Sequence, residues 1–376
     1  MTPEQEATLH IVVLGGGYAG LTAANLAARW TGAQVTLVNE RDRFVERVQL
    51  HQLAVGRQIA ERPLAGMLAR SGARLVVDRV TAIDPAAKRV RLAGGDALDY
   101  DLLVYALGSG TDLDSVEGAA EHAYSVAGWA QAQRLRTRLA TAGRTVAVVG
   151  GGLTGVETVT EIAESHPGTP VRLVTGEELG AGLSRRGRAH LRRVLDRLGV
   201  EVVDRARVVK VGADGLLLGS GEHVAADTVV WTAGFQVPEL AAEAGLQVEA
   251  SGRISVDETL RSVSHPDVYA VGDAAAARLP SGQVLRMACA TGLPMAQQAV
   301  RAMADRLHGV SPRPLRYRFV QQCISLGRRD GLIQFVRADD SPVEAVLTGR
   351  FAAGYKTAIL RGVAWLLRHP TVPTTL

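Results

Sequence analysis

Apolar positions along this chain fall in short unbroken runs instead of alternating with polar ones. IVVL at 11–14, VTLV at 35–38, VAVV at 146–149 and VYAV at 268–271 are such runs, and each ends at glycine or asparagine. Runs of this length, bounded by turn residues, predict strands buried on both faces of a sheet. The stretches that follow two of them, LTAANLAARW and VETVTEIAE, predict helices, so strand and helix alternate. Nearer the C-terminus, YRFVQQCISLGRRDGLIQFV predicts two or three short strands, with turns at GRRDG and later at RADD. The segment GYKTAILRGVAWLLRHPTVPTTL then predicts a helix. Its apolar surface is Ile359, Leu360, Val363, Leu366 and Leu367, with Trp365 beside it and Lys356, Arg361 and Arg368 spaced around.

Two of the runs lead into nearly the same turn. GGGYAG places Gly15, Gly17 and Gly20 between a strand and a helix, and GGGLTG repeats the spacing with Gly150, Gly152 and Gly155. The first glycine permits the turn, the second admits a pyrophosphate close to the backbone, and the third lets helix and strand pack. In the first copy the next strand ends at Glu40, whose carboxylate can accept ribose hydroxyls. In the second copy that position holds Thr175 and Gly176, which removes the charge that would select NADH, while Arg185 and Arg186 lie close enough in sequence to be phosphate ligands. NADH and NADPH both stay open as donors. Two dinucleotide sites imply two dinucleotides exchanging electrons, and a bound flavin opposite a diffusible nicotinamide is the chemical pairing that does so.

Composition narrows the class. The 376 residues suffice for two or three domains, and 41 glycines with 47% hydrophobic residues suit a compact α/β protein. A net charge of +4 is too small to signal nucleic acid, and the basic run RRGRAHLRR lacks aromatic partners, so it reads as a solvated helix face. Cys289 and Cys323 match neither a redox pair nor a metal pattern, and no histidine spacing suggests a metal. The polar start MTPEQEATLH is unlike a secretory signal, and no uncharged apolar stretch approaches the length of a membrane span. The expected location is therefore cytoplasmic, at most along the inner face of the membrane.

With these motifs the chain resembles the pyridine nucleotide-disulfide oxidoreductases, and within them the type II NADH:quinone oxidoreductases and ferroptosis-suppressor-like reductases. Further segments carry the resemblance: DLLVYALGS at 101–109, DTVVWTAGF at 227–235, HPDVYAVGDAA at 265–275 and MAQQAV at 295–300, the last similar to a helix of quinone-reducing members. The resemblance implies two Rossmann-like lobes, one inserted in the other, with a small C-terminal α+β region. It places an FAD domain at 1–110 and 250–308, a nicotinamide domain at 128–240 and the small region at 309–376. FAD would then lie along Gly15, Gly17, Tyr18, Ala19, Gly20, Glu40, Arg41, Arg47, Val80, Ala106, Gly108, Gly272, Asp273, Met295 and Ala296. NADH or NADPH would lie along Gly150, Gly152, Leu153, Thr154, Gly155, Glu157, Thr175 and Gly234.

The resemblance also implies the reaction: hydride from NAD(P)H to FAD, then two electrons to a quinone-like acceptor. His51 is the expected proton donor, Gln297 and Gln298 the helix residues beside the acceptor, and Gln49 a further residue of its pocket. No redox cysteine pair or C-terminal dimer domain is present, which argues against disulfide reduction. The C-terminal helix over 355–368 would give a peripheral membrane contact. Two rivals stand beside this reading. One is a soluble reductase of a ferredoxin, small metabolite or oxygen. The other is a flavin- and nicotinamide-binding sensor or interaction protein.

Overall fold

The computed structural model describes residues 9–141 and 144–374, so the polar stretch at 1–8 lies outside the described residues. The chain first forms β1 (His10–Leu14), α1 (Tyr18–Trp30), β2 (Gln34–Asn39), α2 (Leu50–Ala54), β3 (Arg74–Val77) and β4 (Leu102–Tyr105). It continues through β5 (Ala123–Tyr124), α3 (Trp129–Leu139), β6 (Val146–Val149), α4 (Leu153–Ser165) and β7 (Val171–Val174). Then come α5 (Arg185–Arg197), β8 (Val200–Val203), β9 (Thr228–Trp231), β10 (Val268–Ala270) and α6 (Cys289–Leu307). The last elements are β11 (Gln321–Ser325), β12 (Gly331–Val336), β13 (Pro342–Thr348) and α7 (Gly349–Leu366).

Two five-stranded parallel sheets follow the same plan. One has the order β10-β4-β1-β2-β3 and the other β5-β9-β6-β7-β8, so each glycine-turn strand is central. A central parallel strand has helices or connections on both faces, which is why Ile11 to Leu14 and Val146 to Val149 are buried without alternation. The first sheet includes β10, which returns after the whole second sheet has been built. This is the expected arrangement of two Rossmann-like lobes, one interrupting the other. The two crossings touch, because Gly110–Thr111 pairs antiparallel with Phe235–Gln236.

Helix α1 is buried over nearly its whole surface, since the first sheet covers one side and α6 packs along the other. Its polar residues are satisfied within the helix: the Thr22 hydroxyl donates to the Tyr18 carbonyl, and Asn25 Nδ2 donates to the Leu21 carbonyl. Helix α2 behaves differently. Although early in the chain, it puts Leu50, Leu53 and Ala54 into the core of the second lobe beside Leu135 and Val159.

The C-terminal sheet β11-β12-β13 is antiparallel and docks on α5 through polar side chains. The Glu344 carboxylate accepts from the backbone N–H groups of Arg185 and Arg186, the position a helix N-terminus offers an anion. Asp330 accepts from His190 Nε2 at 2.9 Å and Arg197 Nη2 at 2.7 Å. The basic run is thus only partly a solvated face, and the N-terminus that its two arginines open is filled by a protein carboxylate. Gln334, fully buried, accepts from Ser184 N at 2.9 Å and donates to the carbonyls of Phe335 and Val343.

Replacing Gln334 with leucine leaves the Ser184 N–H and the Val343 carbonyl buried without that partner. The expected cost is about 2 kcal/mol. It should appear as a lower urea midpoint with an unchanged slope, and an unchanged midpoint would show that the amide does not hold the layer.

Candidate active site

Steric constraints fix the two glycine turns. A Cβ on Gly20 would lie 1.8 Å from the Gly15 carbonyl oxygen, and one on Gly155 would lie 1.8 Å from the Gly150 carbonyl oxygen. Gly15 and Gly150 have φ of 98° and 117°, a region L side chains avoid. A Cβ on Gly15 would also meet the Ala106 carbonyl oxygen at 2.4 Å. Gly17 and Gly152 are different, because a Cβ there would meet nothing within 4 Å. That open space lies at the N-terminus of α1 in one lobe and α4 in the other. Neither helix has a side-chain cap or an acidic residue in its first turn, so the free N–H groups and the dipole face outward unneutralised. Both turns therefore fit a pyrophosphate.

Each turn is braced by a residue that the glycine pattern does not specify. Asn39 Oδ1 accepts from Gly16 N at 2.7 Å, and its Nδ2 donates to the Arg41 carbonyl. In the second lobe Thr175 occupies the equivalent place: a Cβ on Gly151 would lie 2.5 Å from its hydroxyl, which donates to the Glu177 carbonyl. Thr175 is buried, while Glu40, Leu153 and Thr154 are exposed. Arg41 lies over the Trp129 ring, 5.8 Å from its centroid, and so reaches toward the second lobe.

A second cluster joins three distant segments. Asp273 Oδ2 accepts from Ser109 Oγ at 2.7 Å, and Arg47 donates to both the carbonyl and the hydroxyl of Ser109. Gly108 and Gly272 flank this cluster with φ of 72° and 71°. A Cβ on Gly272 would lie 3.3 Å from Ala19 Cβ, which ties the Asp273 turn to the first glycine helix. The Tyr18 ring meets Phe44 edge-on at 5.0 Å, and its hydroxyl is buried with no hydrogen-bond partner. Val80 is half-buried at the start of a small antiparallel meander, and Gly234 turns back against Asp112. Met295 and Ala296 are buried in the packing of α6 on the first lobe.

The glutamines of α6 are committed elsewhere. Gln297 Nε2 donates to the carbonyls of Pro370 and Val372, and its Oε1 accepts from the amide and hydroxyl of Thr374. Gln298 Nε2 donates to the Arg313 carbonyl. These amides hold chain segments in place. Cys289 opens α6 and is exposed, Cys323 sits half-buried on β11 with burial pushing its thiol up to about 11, and both are free.

The strongest electrostatic feature is a buried triad from three parts of the chain. Lys356 Nζ on α7 donates to Glu157 Oε1 on α4, and His51 Nδ1 on α2 lies 3.9 Å from Glu157 Oε2. Ser325 N donates to the same Glu157 oxygen as Lys356, at 2.9 Å. Burial pushes the Glu157 carboxyl up, but Lys356, His51 and the Ser325 N–H outweigh it and hold the carboxyl below its ordinary range. Burial pushes His51 down to about 4, so its ring is neutral at pH 7, and its Nε2 has no partner. The cation at this point is Lys356 and not His51. Sequence reasoning placed Lys356 among the outward bases of a basic helix, and only the packing of α7 turns it inward.

Beside the triad is a cavity of about 290 Å³. Lys356, Ala353 and Leu360 of α7 form one wall, and Glu46, Gln49 and Gln52 form another. The second wall belongs to the same short segment that carries Arg47. The cleft therefore connects the Asp273 cluster's arginine segment with the buried lysine, without any residue of the AQQ stretch.

Similarity to known proteins agrees with this geometry. The family model described as pyridine nucleotide-disulphide oxidoreductase matches residues 9–303. An NADH dehydrogenase-like protein of Mycobacterium tuberculosis is 34% identical over 313 residues, covering 77% of this chain and 78% of that protein. Demethylphylloquinone reductase of Synechocystis is 26% identical over 392 residues, covering 96% and 97%. The structure of sulfide:quinone oxidoreductase from Aquifex aeolicus shares the fold, with a TM-score of 0.81 at 21% identity over 97% of this chain and 92% of that one. Two phosphate-ready glycine turns, a family match over most of the chain and a relative above 30% identity lead to one conclusion: the chain belongs to the pyridine nucleotide-disulphide oxidoreductase family and is an NAD(P)H-dependent FAD oxidoreductase.

Proposed function

We propose that this enzyme passes two electrons from NADH or NADPH, through FAD, to a quinone-like acceptor bound in the cavity beside Lys356. The balance is NAD(P)H plus a proton plus quinone giving NAD(P)⁺ plus hydroquinone. The observation that carries the proposal is the Glu157–Lys356 pair: Glu157 belongs to the second glycine helix, and Lys356, bound to it, lines the cavity. FAD, when bound, supplies the two-electron relay between nicotinamide and acceptor.

The chain's own residues bind, orient and supply protons. The α1 N-terminus at Gly17 would hold the FAD pyrophosphate, with Asn39 keeping the turn in shape, Glu40 meeting the ribose, and Arg47 and Asp273 set by Ser109. Residues 1–110 with 250–308 form this domain in our reading, 128–240 the nicotinamide domain and 309–376 the small region. The α4 N-terminus at Gly152 would hold the nicotinamide nucleotide. Thr175 provides no carboxylate against a 2'-phosphate, which supports use of NADPH beside NADH. Lys356 Nζ would give a proton to the reduced acceptor oxygen, while Glu157, fixed by Ser325 N, holds the ammonium in place.

The demethylphylloquinone reductase likeness supports a quinone. A peripheral membrane contact on α7 would suit the same reading, although not through the stripe expected from sequence. Leu366 and Leu367 pack on the first lobe, whereas Phe351, Tyr355 and Trp365 are exposed at 83%, 41% and 51%. No helix among the described residues is long and apolar enough to cross a membrane. In our reading the exposed aromatics, with Arg350 and Arg368 nearby, would rest in the headgroup region.

Anaerobic mixing with NADH or NADPH should bleach the flavin, and a short-chain quinone should restore its colour; absence of bleaching with either nucleotide would overturn the proposal. Lys356→Met should leave flavin reduction within about threefold and slow reoxidation by quinone by about 100-fold. Equal slowing of both half-reactions would mean that the lysine only supports the structure.

Acid should destabilise the protein through the same triad. His51 resists protonation in the folded state, so stability falls as the pH drops from 6.5 toward 4, and loss of the depressed Glu157 charge adds in the same direction. The melting temperature of His51→Leu should decline less over that range than that of the parent, and parallel declines would remove His51 from the account.

A further inference from the structure

The cavity beside Lys356 is unusually cationic for a site that takes a quinone ring. Arg57, Arg62, Arg328 and Arg361 line it with Lys356, against the single carboxylate of Glu46. Apolar side chains contribute only Ala60, Ala353 and Leu360. Such a wall suits a ligand with an anionic group better than a purely apolar one, because each guanidinium carries five donors in a planar fork.

The internal carboxylates do not use up that capacity. Glu161, 1% exposed, pairs with Arg57 Nη1 at 3.1 Å and lies 3.8 Å from Arg328 Nε. Glu46 lies 3.3 Å from Arg62 Nη2, while Arg62 Nη1 is buried and has no hydrogen-bond partner. Lys356 is held by Glu157. Arg361 has no carboxylate within ion-pair distance among the described residues, and it stands one residue after Leu360 on the cavity wall. Glu157 and Glu161 thus lie outside the cavity lining and Glu46 within it; Arg328 Nη2 also donates to Ser165 Oγ, and the five cationic side chains still outnumber the one lining carboxylate.

We propose that the acceptor of this enzyme carries an acidic substituent, a carboxylate or sulfonate on a quinone-type ring, which these arginines bind while Lys356 faces the reducible oxygen. This rests on the acceptor reading above. The anionic group supplies recognition only, and the electrons and protons balance as for any quinone. A charge pair formed inside a partly closed cavity is stronger than one at the open surface and is weakened by salt.

The test compares menadione, which is neutral, with 1,2-naphthoquinone-4-sulfonate in the flavin-loaded full chain. Arg361→Glu is the first variant, since no partner in the fold depends on this side chain, and Arg57→Gln is the second, with Arg328 remaining near Glu161. The KM for the sulfonate should rise at least tenfold in Arg361→Glu and several-fold in Arg57→Gln, with the KM for menadione changed less than twofold. Raising sodium chloride from 20 to 300 mM should raise the KM for the sulfonate alone. Equal changes for the two quinones would overturn the proposal while leaving quinone reduction intact. No turnover of either quinone by a flavin that NAD(P)H still bleaches would instead overturn the acceptor reading itself. Phosphatidylglycerol vesicles provide a last arm: an unchanged KM for the sulfonate supports the acceptor site, whereas competition would assign the arginines to membrane headgroups and overturn it.

Discussion

A carboxylate buried on the second glycine helix constrains how the whole molecule is put together. Glu157 has almost no contact with water, and an isolated buried carboxylate costs several kcal/mol. Its compensation comes from far along the chain: Lys356 from the last helix, Ser325 from the last sheet and His51 from a helix of the first hundred residues. Loss of the last helix would strip the carboxylate of its ion pair and loss of the last sheet would strip it of a backbone hydrogen bond, while α2 brings the neutral His51 ring to 3.9 Å from it. The C-terminal layer is therefore a required partner of the second lobe, and α2 joins the same lobe through its apolar side chains.

The layer is also held by polar groups that point to defined backbone atoms. Gln334, Asp330 and Glu344 each meet a backbone or side-chain donor of α5 or the residue before it. Hydrogen bonds of this kind add less net stability than burial of apolar surface, but they reject alternative registers because a shifted sheet would bury unpaired groups. Leu326, Leu332 and Ile324 supply the apolar part of the same junction by joining the core of the second lobe. Apolar contact gives the affinity, and the three polar residues give the position.

What could be read from the sequence was what local sterics determine. Both glycine turns, their helices and the strands before them follow from residues within about ten positions, so the pattern alone is informative. The small sheet and the last helix were visible for the same reason. What tertiary packing decides was not visible. Lys356 shares its helix with Arg350 and Arg361, with Arg368 just beyond its end, and no sequence rule says which of the four bases turns inward. Gln297 has the amide expected of a site residue, yet the chain after Pro370 returns and takes all of its hydrogen bonds. Asn39 carries a usable signal, since an amide ending the strand before Glu40 stands opposite Gly16 and accepts from its N–H, although the dinucleotide pattern specifies only the carboxylate that follows.

One helix connects the two half-reactions in our reading. The N-terminus of α4 stands open at Gly152, and Glu157 follows after about one and a half turns, where it pairs with Lys356 of the cavity wall. A helix is stiff over that distance, and α4 is further fixed by Gly155 against the Gly150 carbonyl. A nucleotide that seats on the first turn and an acceptor that seats beside the lysine are then located by the same rigid rod. Their relative placement does not depend on a flexible loop. That is the physical advantage of putting a costly buried carboxylate on this helix: the desolvation penalty is met once by the C-terminal layer, and Lys356 is thereby aligned to the helix whose first turn stands open at Gly152.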